Sequence, residues 1–326
     1  MKKIFITGGA GYVGSRLVIE LLKLNYEVTV YDLMIYGDGV LDNHENLKKI
    51  TGDIRDTQLL EKSIIGHEIV IHLACISNDP SFELNPTLGK SINLDAFEPL
   101  VKSSVKNGVN MFIYASSSSV YGIKNEKNVT EDMTLEPLTD YSKFKAECEK
   151  ILNNYKSDNF ITTTIRPSTV CGYAKRQRLD LVVNILTNHA FHNRLIKVFG
   201  GDQLRPNVHI DDMVNSYLSV LNADPKVVNG EIFNVGFKNQ TVNELALDVK
   251  AVIGDDVKIV KTETNDNRSY HVSSQKIKDA IGFETQYTVR DAVLNLKEAF
   301  EKKLLINTFD DEMFFNIKRM NSLELE

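Results

Sequence analysis

The chain has 326 residues, enough for a well-buried core and a smaller appended lobe. With 42% hydrophobic and 25% charged residues and a formal net charge of −6, it has the composition of a soluble globular protein. It lacks the basic balance that a nucleic-acid partner or an anionic membrane would favour. Cys75, Cys148 and Cys171 are far apart and show no metal-ligand spacing, so free thiols in a reducing cytoplasm and no metal are expected. After Met1-Lys2-Lys3 only Ile4-Phe5-Ile6 precedes Thr7-Gly8-Gly9, too short for a signal peptide, and no stretch is long enough to span a bilayer. A cytoplasmic location is therefore expected.

In chain order, strand-like apolar runs fall at Lys3–Thr7, Glu27–Asp32, Ile69–Leu73, Met111–Ala115 and Phe160–Arg166, and a further short strand precedes Asp53. Helical patterns lie between them near Gly11–Leu24, Thr57–Ile64, Thr87–Lys106 and Tyr141–Tyr155. Apolar strands alternating with helices predict an α/β fold, a Rossmann-like doubly wound parallel sheet covered on both faces. Beyond about residue 167 the alternation loosens. Helices are predicted at Leu179–His192, Asp212–Leu221, Val242–Ile253 and Val289–Lys302, and strands at Leu195–Val198, Ile232–Val235 and Val257–Val260. This pattern divides the chain into a dinucleotide-binding domain at 1–170 and a smaller mixed substrate lobe at 171–326, with some segments returning to the main sheet. The tail from Leu304 carries Phe309, Phe314, Phe315 and Ile317, and is free to dock on the body or on another subunit.

The first strand runs into Gly8-Gly9-Ala10-Gly11-Tyr12-Val13-Gly14. Gly9, Gly11 and Gly14 satisfy the dinucleotide pattern, and Gly8 adds another glycine in the turn. Such glycines permit a tight strand-to-helix turn and a close approach of backbone to a pyrophosphate. The helix N-terminus then offers its free N–H groups. Asp32 lies 21 residues beyond Gly11, at the end of the next strand. A carboxylate there accepts from both ribose hydroxyls and repels a 2′-phosphate, which selects NAD over NADP. Asp53-Ile54 follows the next short strand; local sequence allows either an adenine contact or a turn-starting Asp.

Tyr141 and Lys145 open a helix at positions i and i+4 and so share a face. Removing hydride from a carbinol carbon needs a base for the hydroxyl proton, and a tyrosine of pKa about 10 needs a nearby cation to serve as one. Four hydroxyls, Ser116 to Ser119, follow the strand Met111–Ala115, where open α/β sheets place ligands. One of them can orient the reacting oxygen. His72 and His209 read as structural, Asp211-Asp212 as a cap of the helix that follows, and the cysteines as small core residues.

Together these residues resemble the extended short-chain dehydrogenases that act on nucleotide sugars, a family of epimerases and dehydratases. The matching pieces are TGGAGYVGS at the start, GDIRD at 52–56, HLAC at 72–75, SSSSVYG at 116–122, YSKFK at 141–145, RPSTVCGY at 166–173 and LRPNVHIDD at 204–212. The resemblance implies Tyr141 as base, Lys145 as its partner and Ser117 as the hydroxyl on the reacting oxygen, with Ser118 beside it. It implies Asp32 on the adenosine ribose and Asp53-Ile54 on adenine, with Gly8, Gly11, Tyr12, Val13, Gly14, Leu73 and Ala74 completing the NAD site. Arg205 and Arg268 look like the arginines that pair with the nucleotide diphosphate, with Arg178 a further candidate. A nucleotide-sugar substrate and a homodimer are also implied.

Dehydratases of this family carry Thr-Asp-Glu before Val-Tyr-Gly; here Ser117-Ser118-Ser119 stands in that place. Oxidation at C4 without dehydration is therefore expected, as a C4 dehydrogenase or a 4-epimerase. The alternatives are an NADH-dependent reductase of a nucleotide-linked keto sugar and a non-catalytic NAD sensor, the latter disfavoured by the presence of both Tyr141 and Lys145. The stretch CGYAKRQRLDLVVNIL differs from UDP-galactose epimerases and looks closer to enzymes of bacterial surface polysaccharide pathways, including those acting on GDP-linked heptoses.

Overall fold

The computed structural model describes residues 2–126, 128–264, 269 and 271–325. Its strands are β1 (Lys3–Thr7), β2 (Glu27–Asp32), β3 (Leu47–Thr51), β4 (Ile69–His72), β5 (Met111–Ala115), β6 (Ile161–Pro167), β7 (Thr169–Cys171), β8 (Leu195–Phe199), β9 (Leu204–His209), β10 (Glu231–Val235), β11 (Lys238–Thr241) and β12 (Lys258–Thr262). Seven of them form one sheet in the order β10-β6-β5-β4-β1-β2-β3, with every neighbouring pair parallel. This is the doubly wound order, extended at one edge by β10 from the second half of the chain.

Alternation of side chains along each strand fills two apolar layers. Ile4, Ile6, Ile69, Ile71 and Ile113 face a layer with Leu17, Leu21, Val214 and Tyr217. Phe5, Val70, Phe112 and Tyr114 face the opposite layer with Leu60, Phe97, Leu100 and Leu152. Burial on both faces explains why these strands read as continuous apolar runs.

Four features depart from the periodicity. The helix expected over Thr87–Lys106 is broken into Pro86–Lys90, a π-helical turn Ser91–Asp95 and Phe97–Lys106. The wide turn aims Asn93 at the loop after β4, where its amide accepts from Ile76 N and donates to Ile76 O at 2.8 and 2.9 Å. The helix over Ile210–Asn222 is capped by His209, whose ring accepts from Asp211 N, and not by the two aspartates. Asp211 instead pairs with Arg16, and Asp212 accepts the backbone N–H groups of Gln286 and Tyr287, both at 2.9 Å. β9 and β11 were not legible, being a proline-containing strand and the polar run KNQT that form a small separate sheet with β7. Finally, the tail docks on the body: Leu305 packs with Leu179, Leu296 and Phe300, and a helix forms over Asn316–Leu323.

A buried ion pair links the helix Asp140–Asn153 to β6. Arg166 donates to Glu149 at 2.7 Å with both side chains 3% exposed, and Ser116 and Tyr121 complete the network. The helix bears Tyr141, Lys145 and Glu149 four residues apart on one face, so this pair anchors the same stripe that carries the candidate chemistry. Arg166→Met would leave Glu149 buried without its cation, at a cost of about 3–5 kcal/mol. The expected result is a lowered urea midpoint with unchanged slope.

Candidate active site

The carboxyl ends of the parallel strands open into a cavity of about 530 Å³, a size usual for small-molecule sites. Of the residues singled out from the sequence, Gly8, Gly11, Tyr12, Val13, Gly14, Asp32, Asp53, Ile54, Leu73 and Ala74 line it. So do Ser117, Ser118, Tyr141, Lys145, Arg178 and Arg205, and Arg268 falls outside the described residues.

The glycine turn is built by backbone packed on backbone. Gly8 has φ +74°, and a Cβ there would sit 2.5 Å from Ala74 N. A Cβ on Gly14 would meet Gly8 O, also at 2.5 Å. The helix Tyr12–Lys23 starts from Gly11 without a side-chain cap and without an acidic residue in its first turn, which leaves its N-terminus fit for an anion. Asp32 accepts from Ala10 N and Met34 N, both at 2.9 Å, so its carboxylate is held at the rim of the turn. Burial raises its pKa, while those two amides and Arg176 oppose the rise. These residues fit NAD: the turn suits the pyrophosphate and Asp32 the ribose. Asp53 is engaged by Arg55 through a 2.6 Å ion pair, and Ile54 is buried beside it. The phenol of Tyr12 donates to Gly172 O at 2.6 Å, and Tyr12 borders the cavity.

At the other end, Lys145 donates to Ala115 O at 2.7 Å, and its ammonium lies 5.8 Å from the Tyr141 ring centroid. Ser117 is extended, its hydroxyl 2.9 Å from that of Ser119, and it lies near enough to the Tyr141 phenol to favour its ionised form. Burial pushes the Tyr141 pKa up, with the charges of Cys75 and Asp79 adding to the rise. The charge of Arg178 and the Ser117 hydroxyl act in the opposite direction. Arg178 is thus a second cation near the phenol, beside the Lys145 that helical spacing identified. It donates to Asp180 at 2.9 Å and to Ser77 at 3.2 Å.

His72 is 2% exposed and bonded to Thr7 at 2.7 Å, and burial with help from Lys145 holds its pKa down at about 3. His209 is likewise buried, bonded to Asn295 at 2.8 Å and stacked on Tyr287. Residues that periodicity and motif did not mark also line the cavity: Tyr36, Ser77, Asp79, Arg176, Asp180 and, from the tail, Asn316, Met320 and Leu325. Arg176 and Asp180 fall within the stretch 171–186, which the sequence marked only as a whole; Asn316 left no trace. Among the described residues there is no cluster of three or more His, Cys, Asp or Glu able to hold a metal, and no helix is long and apolar enough to cross a membrane.

Comparison with known proteins agrees with this geometry. Residues 4–236 match the NAD dependent epimerase/dehydratase family. The chain is 26% identical to a UDP-glucose 4-epimerase of Lactobacillus helveticus over 90% of this chain and 94% of that protein. It is 32% identical to a UDP-glucose epimerase of Bacillus subtilis, itself uncharacterised, over 72% and 76% of the two chains. The crystal structure of a UDP-glucose 4-epimerase with UDP-glucose from Thermotoga maritima superposes with a TM-score of 0.85 at 26% identity, covering 93% of this chain and all of that one. With the glycine turn and Ser117, Tyr141 and Lys145 gathered in one cavity, the chain belongs to the NAD dependent epimerase/dehydratase family, as an NAD-using enzyme of the extended short-chain dehydrogenase type.

Proposed function

We propose that the protein oxidises a nucleotide-activated sugar at C4, as a C4 dehydrogenase or a 4-epimerase, in the making of surface polysaccharide sugars. One observation carries this reading: Tyr141, Ser117 and Lys145 border the same cavity as the glycine turn and Asp32. Bound NAD supplies the hydride acceptor. Tyr141, as phenolate, takes the proton of the sugar hydroxyl, and Ser117 holds that oxygen toward it. Lys145, fixed to Ala115 O, and Arg178 supply the positive charge that favours the phenolate.

Arg205 and Arg178 line the cavity and suit the diphosphate of a nucleotide, by bidentate geometry. C4 is supported by the relatives named as 4-epimerases and by Ser118-Ser119 standing where dehydratases carry two acids. The polysaccharide role is supported by the wall segment 171–186 and its likeness to that branch of the family.

Tyr141→Phe is expected to keep nucleotide binding while turnover falls about 10²–10⁴-fold. Near-normal turnover would overturn the mechanism. The substrate and outcome are read by NMR after incubation with UDP-, GDP-, CDP- and dTDP-sugars: an inverted C4 marks an epimerase, a released 4-keto sugar a dehydrogenase, and a dehydrated sugar would refute the reading.

The pH profile tests the role of Arg178. Loss of its charge disfavours the phenolate, so the Tyr141 pKa rises and the ascending limb of kcat moves to higher pH in Arg178→Met. An unmoved limb would remove Arg178 from this role.

A further inference from the structure

The tail after Lys302 crosses from the substrate side back over the carboxyl ends of the main sheet. Leu179 N donates to Phe314 O at 3.0 Å, and Arg319 Nε donates to Ile35 O at 2.5 Å. Between these ties Asn316 is inserted into the cavity wall, 5% exposed. Its amide oxygen accepts from the Tyr36 hydroxyl at 2.8 Å and from Arg176 Nη2 at 2.5 Å. Its amide nitrogen donates to Ser77 Oγ at 2.8 Å, and its backbone N–H to Asp180 at 3.2 Å. One side chain therefore bridges the loop after β2, the loop after β4 and the loop before the helix Val182–Asn193. One turn on, Met320 is 7% exposed and packs in the cluster that holds Ile54 and Ile76.

Arg176, 3% exposed, lies with its guanidinium 3.6 Å from the Tyr36 ring centroid. Asn316 holds it through a neutral oxygen, which leaves the charge of the guanidinium in place. Arg176 Nε and Arg178 Nη2 are buried at the cavity with no hydrogen-bond partner among the described residues. Arg178 is already paired with Asp180, whereas Arg176 has no ion pair among the described residues, and a buried cationic donor of that kind calls for an acceptor of opposite charge. Nucleotide ligands bring one in their diphosphate oxygens, whether from NAD or from the nucleotide sugar.

We infer that the C-terminal tail is part of the ligand site, with Asn316 the positioning residue that aims Arg176 at a nucleotide diphosphate and Met320 an apolar cover beside Ile54. This rests on the reading of the cavity as a site for NAD and a nucleotide sugar.

The test measures dissociation constants for NAD, and for UDP and GDP added to the NAD-loaded protein, in the full chain and its variants. Losing a hydrogen bond that orients a charged donor predicts about tenfold weaker binding of NAD or of the nucleoside diphosphate in Asn316→Ala. Asn316→Asp keeps an oxygen at the place that Tyr36 and Arg176 use but gives it a negative charge that pairs with the guanidinium, so it too is expected to bind about tenfold more weakly. Because Asn316 acts through Arg176, Asn316→Ala combined with Arg176→Met should bind no more weakly than Arg176→Met alone. A loss confined to NAD assigns the oxyanion to the cofactor; a loss confined to UDP or GDP assigns it to the nucleotide sugar. Unchanged affinities in Asn316→Ala, or additive losses in the double variant, would overturn the proposal. If Asn316→Ala is destabilised, the Asp variant and the additivity test still decide. A parent protein that binds neither ligand would refute the cofactor reading itself, a result no change at residue 316 can mimic.

Discussion

The polar stripe on the helix Asp140–Asn153 is the constraint around which the site is arranged. Tyr141, Lys145 and Glu149 repeat every four residues, and each reaches a different piece of the sheet's carboxyl edge. Glu149 is buried against Arg166 of β6 and the hydroxyl of Ser116; Lys145 is tied to the carbonyl of Ala115 at the end of β5. Tyr141 meets Ser117. A buried ion pair costs desolvation and repays it only in good geometry, so its presence here trades stability for a fixed register between helix and strands. That register brings a phenol, an ammonium and a hydroxyl to one point, which apolar packing alone would not hold to hydrogen-bond accuracy.

The second fixed point is the glycine turn. Gly8 and Gly14 have no room for a Cβ, because the turn, the following helix and the loop after β4 touch through their backbones. The amides of Ala10 and Met34 hold the Asp32 carboxylate at the rim. The two fixed points stand at opposite ends of one cavity because β1 and β5 flank β4 in the same parallel sheet. The distance between the glycine turn and the helix that carries Tyr141 is thus a property of strand order, while the rest of the cavity wall is left to loops and to the tail.

Electrostatics around the phenol are shared more widely than a single Tyr–Lys pair would suggest. Burial works against the phenolate, Asp79 adds to that effect, and Arg178 counters it from a loop more than thirty residues along the chain. Arg178 is itself neutralised in part by Asp180 and held by Ser77. The charge around the phenol is therefore set by groups on separate loops, and the loop before the helix Val182–Asn193 links them to the tail through Asp180 and Asn316.

Much of this was legible along the chain, for a physical reason. Strands buried on both faces have to be apolar throughout, a glycine turn has to be glycine, and a helical pair four residues apart has to share a face; each is a local rule with a local signature. Hence the parallel sheet, the turn with Asp32 and the Ser117–Tyr141–Lys145 set could be read directly. The π-helical turn that aims Asn93, the capping by His209 in place of Asp211 and Asp212, the strand pairing of β9 with β11, and the docking of the tail could not. These depend on which distant groups compete for the same hydrogen bonds, and that competition is settled only when the chain is folded. Asn316 shows the limit: an ordinary polar residue near the chain's end, its place in the cavity decided by Tyr36, Ser77, Arg176 and Asp180, which meet only in three dimensions.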